Sequence, residues 1–94
     1  MSLETFFLGT AIKITTILNI DTATTATITI KDSSDSSKVT STTMTKDQNK
    51  VYYYIWQSTN TATDNEGTYT AEITVTYGGY TAYTEKNFEM IEPD

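Results

Sequence analysis

Apolar and polar residues alternate with a period of two along much of this chain. Thr24-Ala26-Ile28-Ile30 interleaves with Thr25, Thr27, Thr29 and Lys31, which predicts a strand with one face in a core and one in water. Tyr69-Ala71-Ile73-Val75-Tyr77 interleaves with Thr70, Glu72, Thr74 and Thr76 and predicts a second. Val51 to Trp56 is continuously apolar or aromatic. The Tyr52, Tyr54 and Trp56 face is expected inward, because Trp56 has the most area to bury. Ala11 to Leu18 holds Ile12, Ile14, Ile17 and Leu18, whose phase slips between Ile14 and Ile17; a β-bulge or a change of sheet would reconcile the two. Val39 to Met44 reads as a weaker strand near an edge. Tyr80 to Ile91 closes the chain in a phase that the pattern leaves open.

The connections carry turn chemistry. Asp32-Ser33-Ser34-Asp35-Ser36-Ser37 is a run of residues that bond their own backbone. Gly78-Gly79 between two alternating segments predicts a two-residue hairpin, since glycine accepts the positive φ of primed turns. Ser58 to Glu66 reads as a polar loop ending at Gly67, and Pro93 falls beyond the last strand, where a missing N–H does no harm. No segment has helical spacing with caps. Six or seven strands with no helix of consequence predict an all-β sandwich or small barrel, with the sandwich favoured. Val51 to Trp56 is also an uncharged window of high β-propensity, so it is expected in a central strand. Lys50 and Gln57 flank it as polar gatekeepers.

Composition narrows the chemistry. The 94 residues make one domain, 1–94, with 1–3 read as a leader and 92–94 as a tail. There is no Cys, His or Arg, and 22 residues are Thr. Thr suits a wet strand face, because its β-branch favours extended backbone. The missing types remove disulfides, thiolate nucleophiles, the usual zinc sites and imidazole acid–base catalysis. Twelve acids against six Lys give a net charge of −6, which argues against a phosphate-binding surface and hence against nucleic acid. No segment approaches the ~20 apolar residues of a membrane helix, so membrane insertion is not expected. The first residues do not read as a signal peptide.

One local pattern carries a resemblance. Asn65-Glu66-Gly67-Thr68-Tyr69 ahead of an alternating strand resembles the D-x-G-x-Y stretch of immunoglobulin-like domains, with Asn65 where Asp is usual. There the tyrosine bonds backbone upstream and anchors a corner, which implies that role for Tyr69. The whole chain is similar to small disulfide-free immunoglobulin-like domains of phage, prophage and microbial surface proteins. The matching positions are Gly9-Thr10, Ile30-Lys31-Asp32, Val51-Tyr52 with Tyr54 and Trp56, Gly67 with Tyr69, Ile73 and Val75, Gly78-Gly79, and Phe88 with Met90. The resemblance implies an immunoglobulin-like β-sandwich of about seven antiparallel strands. It also implies a structural or interaction role, at a virion or a cell surface.

Candidate sites are few. Asp32 and Asp35 in one loop, and Asp64 and Glu66 in another, are calcium candidates, but calcium wants 6–8 oxygens and two acids per loop are thin. Lys13, Asn87 and Glu72 are placed for a Lys–Asn isopeptide of the kind some surface domains form. Alternation turns Lys13 outward, however, and burying a lone Lys is costly. Seven Tyr and one Trp exceed what one small core takes. Tyr53, Tyr77, Tyr80 and Tyr83 are expected at the surface, where tyrosine suits protein contacts and sugar stacking; ordinary cross-strand pairing is the competing reading. No residue set calls for a cofactor, and catalysis has no foothold. The expectation is a non-enzymatic structural or interaction protein, its partners other proteins or itself. The alternative is an adhesive or carbohydrate-binding module of a cell surface. The core is expected to hold Trp56, Tyr69, Ile28, Ile30, Ile73, Val75 and Phe88.

Overall fold

The alternating segments become strands in the structure, a computed structural model that describes residues 4–18, 25–48, 50–59 and 65–92. The readings that concern 1–3, Thr24, Asp64 and Pro93 lie outside the described residues. In chain order the strands are β1 (Glu4–Phe7), β2 (Ala11–Ile17), β3 (Thr25–Lys31), β4 (Ser37–Thr43), β5 (Thr45–Gln48), β6 (Val51–Gln57), β7 (Gly67–Tyr77) and β8 (Tyr80–Ile91). They form two packed sheets, one of five strands in the order β1-β8-β7-β3-β4 and one of three in the order β2-β6-β5. No described residue is helical.

Eight strands form rather than about seven, and they are not all antiparallel: β1 pairs with β8 in parallel. The two elements that periodicity missed, β1 and β5, have only four residues each. Every residue of β5 is exposed, so it shows no alternation; its pairing with β6 alone makes it a strand. The chain changes sheet at Met44, between β4 and β5, where the Met44 N–H donates to Ala26 O at 2.8 Å.

The core lies between the sheets. From the five-stranded sheet come Ala26, Ile28 and Ile30 of β3, Tyr69, Ala71, Ile73 and Val75 of β7, and Phe88 and Met90 of β8. From the three-stranded sheet come Ile12 and Ile14 of β2, and Tyr52 and Trp56 of β6. All seven core residues named from the sequence are buried. Each buried apolar side chain of this size contributes about 1.5–3 kcal/mol. At one end the rings converge. Trp56 lies 5.4 Å from Tyr69 and 6.3 Å from Phe88, Tyr69 stacks on Phe88 at 5.7 Å, and Phe6 meets Phe88 edge-on at 5.9 Å. Trp56 therefore bridges the two sheets.

Two expectations about individual strands resolve clearly. β6 is central, paired with β2 and β5. The slip in β2 is neither a bulge nor a change of sheet, since its register with β6 runs unbroken from Ala11 to Ile17. Instead Thr16 takes the inward position and Ile17 points out, 77% exposed.

Candidate interaction surface

β7 and β8 form one long hairpin. Gly78 and Gly79 turn it with φ of 49° and 83°, left-handed values that a two-residue turn requires. Pairing then runs without a shift from Tyr77↔Tyr80 to Gly67↔Met90. The second half of β8 packs into the core, but every residue from Tyr80 to Asn87 is exposed. The reason lies in what surrounds them. β1 reaches only from Phe88 to Ile91, so beyond it β8 has a strand neighbour on one side alone among the described residues.

Tyrosines mark this stretch. The rings of Tyr77 and Tyr80 lie 6.0 Å apart across the turn; Tyr80 is 70% exposed, whereas Tyr77, expected at the surface, is half-buried against the core, and Tyr53 is half-buried too. Tyr83, on the opposite face of β8, donates its hydroxyl to Glu85 Oε1 at 2.8 Å. That bond to a carboxylate is the main reason the Tyr83 phenol is pushed up to about 12. Tyr53, the fourth candidate, is not part of the cluster: it belongs to β6 in the other sheet, where the Lys13 ammonium sits 4.7 Å over its ring. Three of the four candidate tyrosines thus share one hairpin.

The flank beside this hairpin is a cleft between β8 and β2, the edge strand of the three-stranded sheet. It holds two hollows. One, of about 200 Å³, is lined by residues that include Ile12, Ile14, Lys86 and Phe88. The other, of about 230 Å³, is lined by residues that include Ile17, Leu18, Val75, Ala82 and Tyr83. The Lys86 ammonium donates to the Thr15 carbonyl and ties the two sheets together between them. Sequence reasoning missed Ile17 as a surface residue. The phase slip was the signal, because a residue out of step with Ile12 and Ile14 faces the other way.

The acidic candidates are occupied by structural work. Asp32 Oδ1 accepts from the Ser34 and Ser36 amides at 2.8 and 3.0 Å, and Oδ2 lies 3.7 Å from the Lys38 ammonium. The Ser36 amide, helped by Ser34 and Lys38, holds this buried carboxyl below its ordinary value although burial pushes the other way. Asp35 is exposed and lies 3.8 Å from Lys31. Glu66 accepts from the Glu92 amide at 2.8 Å. The two loops do meet, since a methyl on Gly67 would stand 2.7 Å from Ser33 Oγ. Among the described residues, no three acidic side chains gather as metal ligands would. The isopeptide set is engaged elsewhere: Lys13 is exposed over Tyr53, Asn87 accepts from the Thr70 hydroxyl at 2.9 Å, and Glu72 pairs with Lys31 at 3.5 Å.

At the far end from the turn, the Tyr69 hydroxyl donates to Asn65 O at 2.7 Å and accepts from Asn65 N at 3.2 Å. That is the upstream backbone bond the resemblance implied for this residue. No family model matches the chain, and neither a curated protein nor a solved structure matches it.

Proposed function

We propose that this chain is an immunoglobulin-like module with a non-enzymatic structural or protein-interaction role, of the kind found in virion-associated proteins of phages and prophages. The Tyr69 bond to Asn65 and the order of the five-stranded sheet support the immunoglobulin-like assignment. One observation carries the interaction role. The Tyr80–Asn87 half of β8 is a regular strand, exposed on both faces and bearing tyrosines, held out on a hairpin whose other half is locked in the core. A strand so presented offers both main-chain groups and large rigid side chains to another protein.

A photo-reactive phenylalanine analogue at Tyr80, introduced in the cells that make the protein, tests this. Adducts of one or a few defined masses at Tyr80, and not with the same probe at Glu66, are expected. The same adducts from both positions, or none at Tyr80, would overturn the reading. A second reading, an adhesive or carbohydrate-binding module of a cell surface, draws on the Tyr77–Tyr80 ring pair, with Tyr80 exposed beside a half-buried Tyr77. Saturation-transfer signals from oligosaccharides that vanish in Tyr80→Ser would favour it.

A further inference from the structure

Two of the sheet edges are blunted and two are not. β4 has register shifts on either side of Ile30 and a left-handed Ser41. β5 is four residues long, carries Lys46 and Asp47, and has a shift of its own. Both are devices that stop one sheet from adding to another. β2 and the free half of β8 are regular. They lie on the same flank across the cleft, and Lys86 of β8 holds the Thr15 carbonyl of β2. The β8 edge, from Tyr80 to Asn87, has no ladder partner on its outer side among the described residues.

Hairpin geometry fixes which groups point outward. The residues that flank a two-residue turn exchange both hydrogen bonds, and pairs alternate from there. Even-numbered residues of β8 from Tyr80 therefore face β7, and odd-numbered ones face the open edge. The Leu8 N–H donating to Ile91 O, on the β1 side, agrees with this phase. Thr81, Tyr83, Glu85 and Asn87 thus present their amides and carbonyls to whatever lies alongside.

We propose that the occupant is a second copy of this chain, with β8 pairing antiparallel to β8 about a two-fold axis and Tyr83 opposite Tyr83. The proposal rests on the interaction-module reading and names its partner. The choice of copy and of register comes from the strand itself. Centring the axis on Thr84 or Glu85 would run the second copy's Gly78-Gly79 turn into the lane that β1 occupies from Glu4, and centring on Glu85 would also oppose two carboxylates. Centring on Tyr83 leaves the turn beside Asn87, clear of β1. In that register Thr81, Tyr83 and Glu85 each donate and accept across the interface. Tyr83 meets Tyr83, Thr81 meets Glu85, Ala82 meets Thr84, and Tyr80 meets the Lys86 stem, whose ammonium stays on the Thr15 carbonyl. No like charges stand opposite. Tyr80 and Tyr83, two of the five large apolar side chains left exposed among the described residues, each gain a cross-strand neighbour, one on either face.

The chain has no cysteine, so an introduced one is unique. In this register Ala82 and Thr84 of different copies form a close, non-hydrogen-bonded pair, within disulfide reach. Mixed A82C and T84C chains are expected to oxidise to the mixed dimer several-fold faster than either variant alone to its own. Equal rates in all three would overturn the register. The second test is absolute mass by light scattering over a concentration series up to about 1 mM. The native chain is expected to move from 10.5 kDa toward twice that mass. Tyr83→Pro removes the outward N–H together with the phenol and its bond to Glu85, and spares the β7 ladder; it is expected to weaken the dimer by about tenfold or more while the monomer keeps its far-UV spectrum. A native chain that stays monomeric throughout, or a folded Tyr83→Pro that dimerises equally well, would overturn the self-pairing. Either result leaves the interaction-module reading to be judged by the Tyr80 cross-link.

Discussion

Tyr69 fills the core with its ring and holds a loop with its hydroxyl. Tyr69→Phe keeps the packing and leaves Asn65 without its partner, so a loss of about 1–2 kcal/mol is expected by chemical denaturation. Gly67, two residues earlier, has φ of 137°, and a side chain there would press on Ser33. Gly67→Ala should cost at least about 1 kcal/mol, read the same way. Asp32 gives a pH signature. Its folded value is lowered, so its contribution is complete above the unfolded value near 3.8 and is lost as pH falls through the lower folded value. Asp32→Asn, which keeps an acceptor for the amides, should flatten the acid limb of the stability–pH curve. An unchanged limb would assign it to other carboxylates. Tyr69 was legible because its bond is local, four residues upstream. The role of Asp32 was legible as turn chemistry, but its pairing with Lys38 depends on how the β4 backbone leaves the loop.

At the scale of elements, β3 and β7 were readable because each buries one face, and burial imposes period two on a sequence; β6 was readable as a continuous apolar run whose inward face Trp56 selects. β1 and β5 were not, since four residues hold too little pattern and β5 buries nothing. The phase of β8 could not be read for a physical reason: its first half buries neither face, so nothing selects one. That same absence of selection marks the candidate surface, which was visible in the sequence only as a surplus of tyrosine. Trp56 tests the choice of face in β6. With its indole between the sheets, Trp56→Ala is expected to cost about 3–5 kcal/mol. A loss below about 1 kcal/mol by urea denaturation would contradict the packing described.

On the whole molecule, chain and core together make the sheets one unit. The chain passes between them four times, after β1, β2, β4 and β6, and the Trp56, Tyr69 and Phe88 rings join them through the core. Neither sheet keeps an apolar interior without the other. Trp56 emission and far-UV circular dichroism should therefore report one and the same unfolding transition. Separate midpoints would mean that the sheets come apart before they unfold. The net charge of −6 acts at the same scale. It opposes close approach of two copies, so any self-association should tighten as salt is added.

The parallel pairing of β1 with β8 also has a mechanical consequence. Glu4 lies beside Phe88 and Phe7 beside Ile91, so the first and last strands run side by side in the same direction. A pull applied at the two ends of the chain drags them in opposite senses along their length. The rungs between them then carry the load together, in shear, instead of opening one at a time like a zipper. Stretched between two anchors, this domain should resist tension until the short β1 ladder gives way as a unit. Single-molecule extension should record one abrupt rupture, and a proline at Phe6 should lower its force.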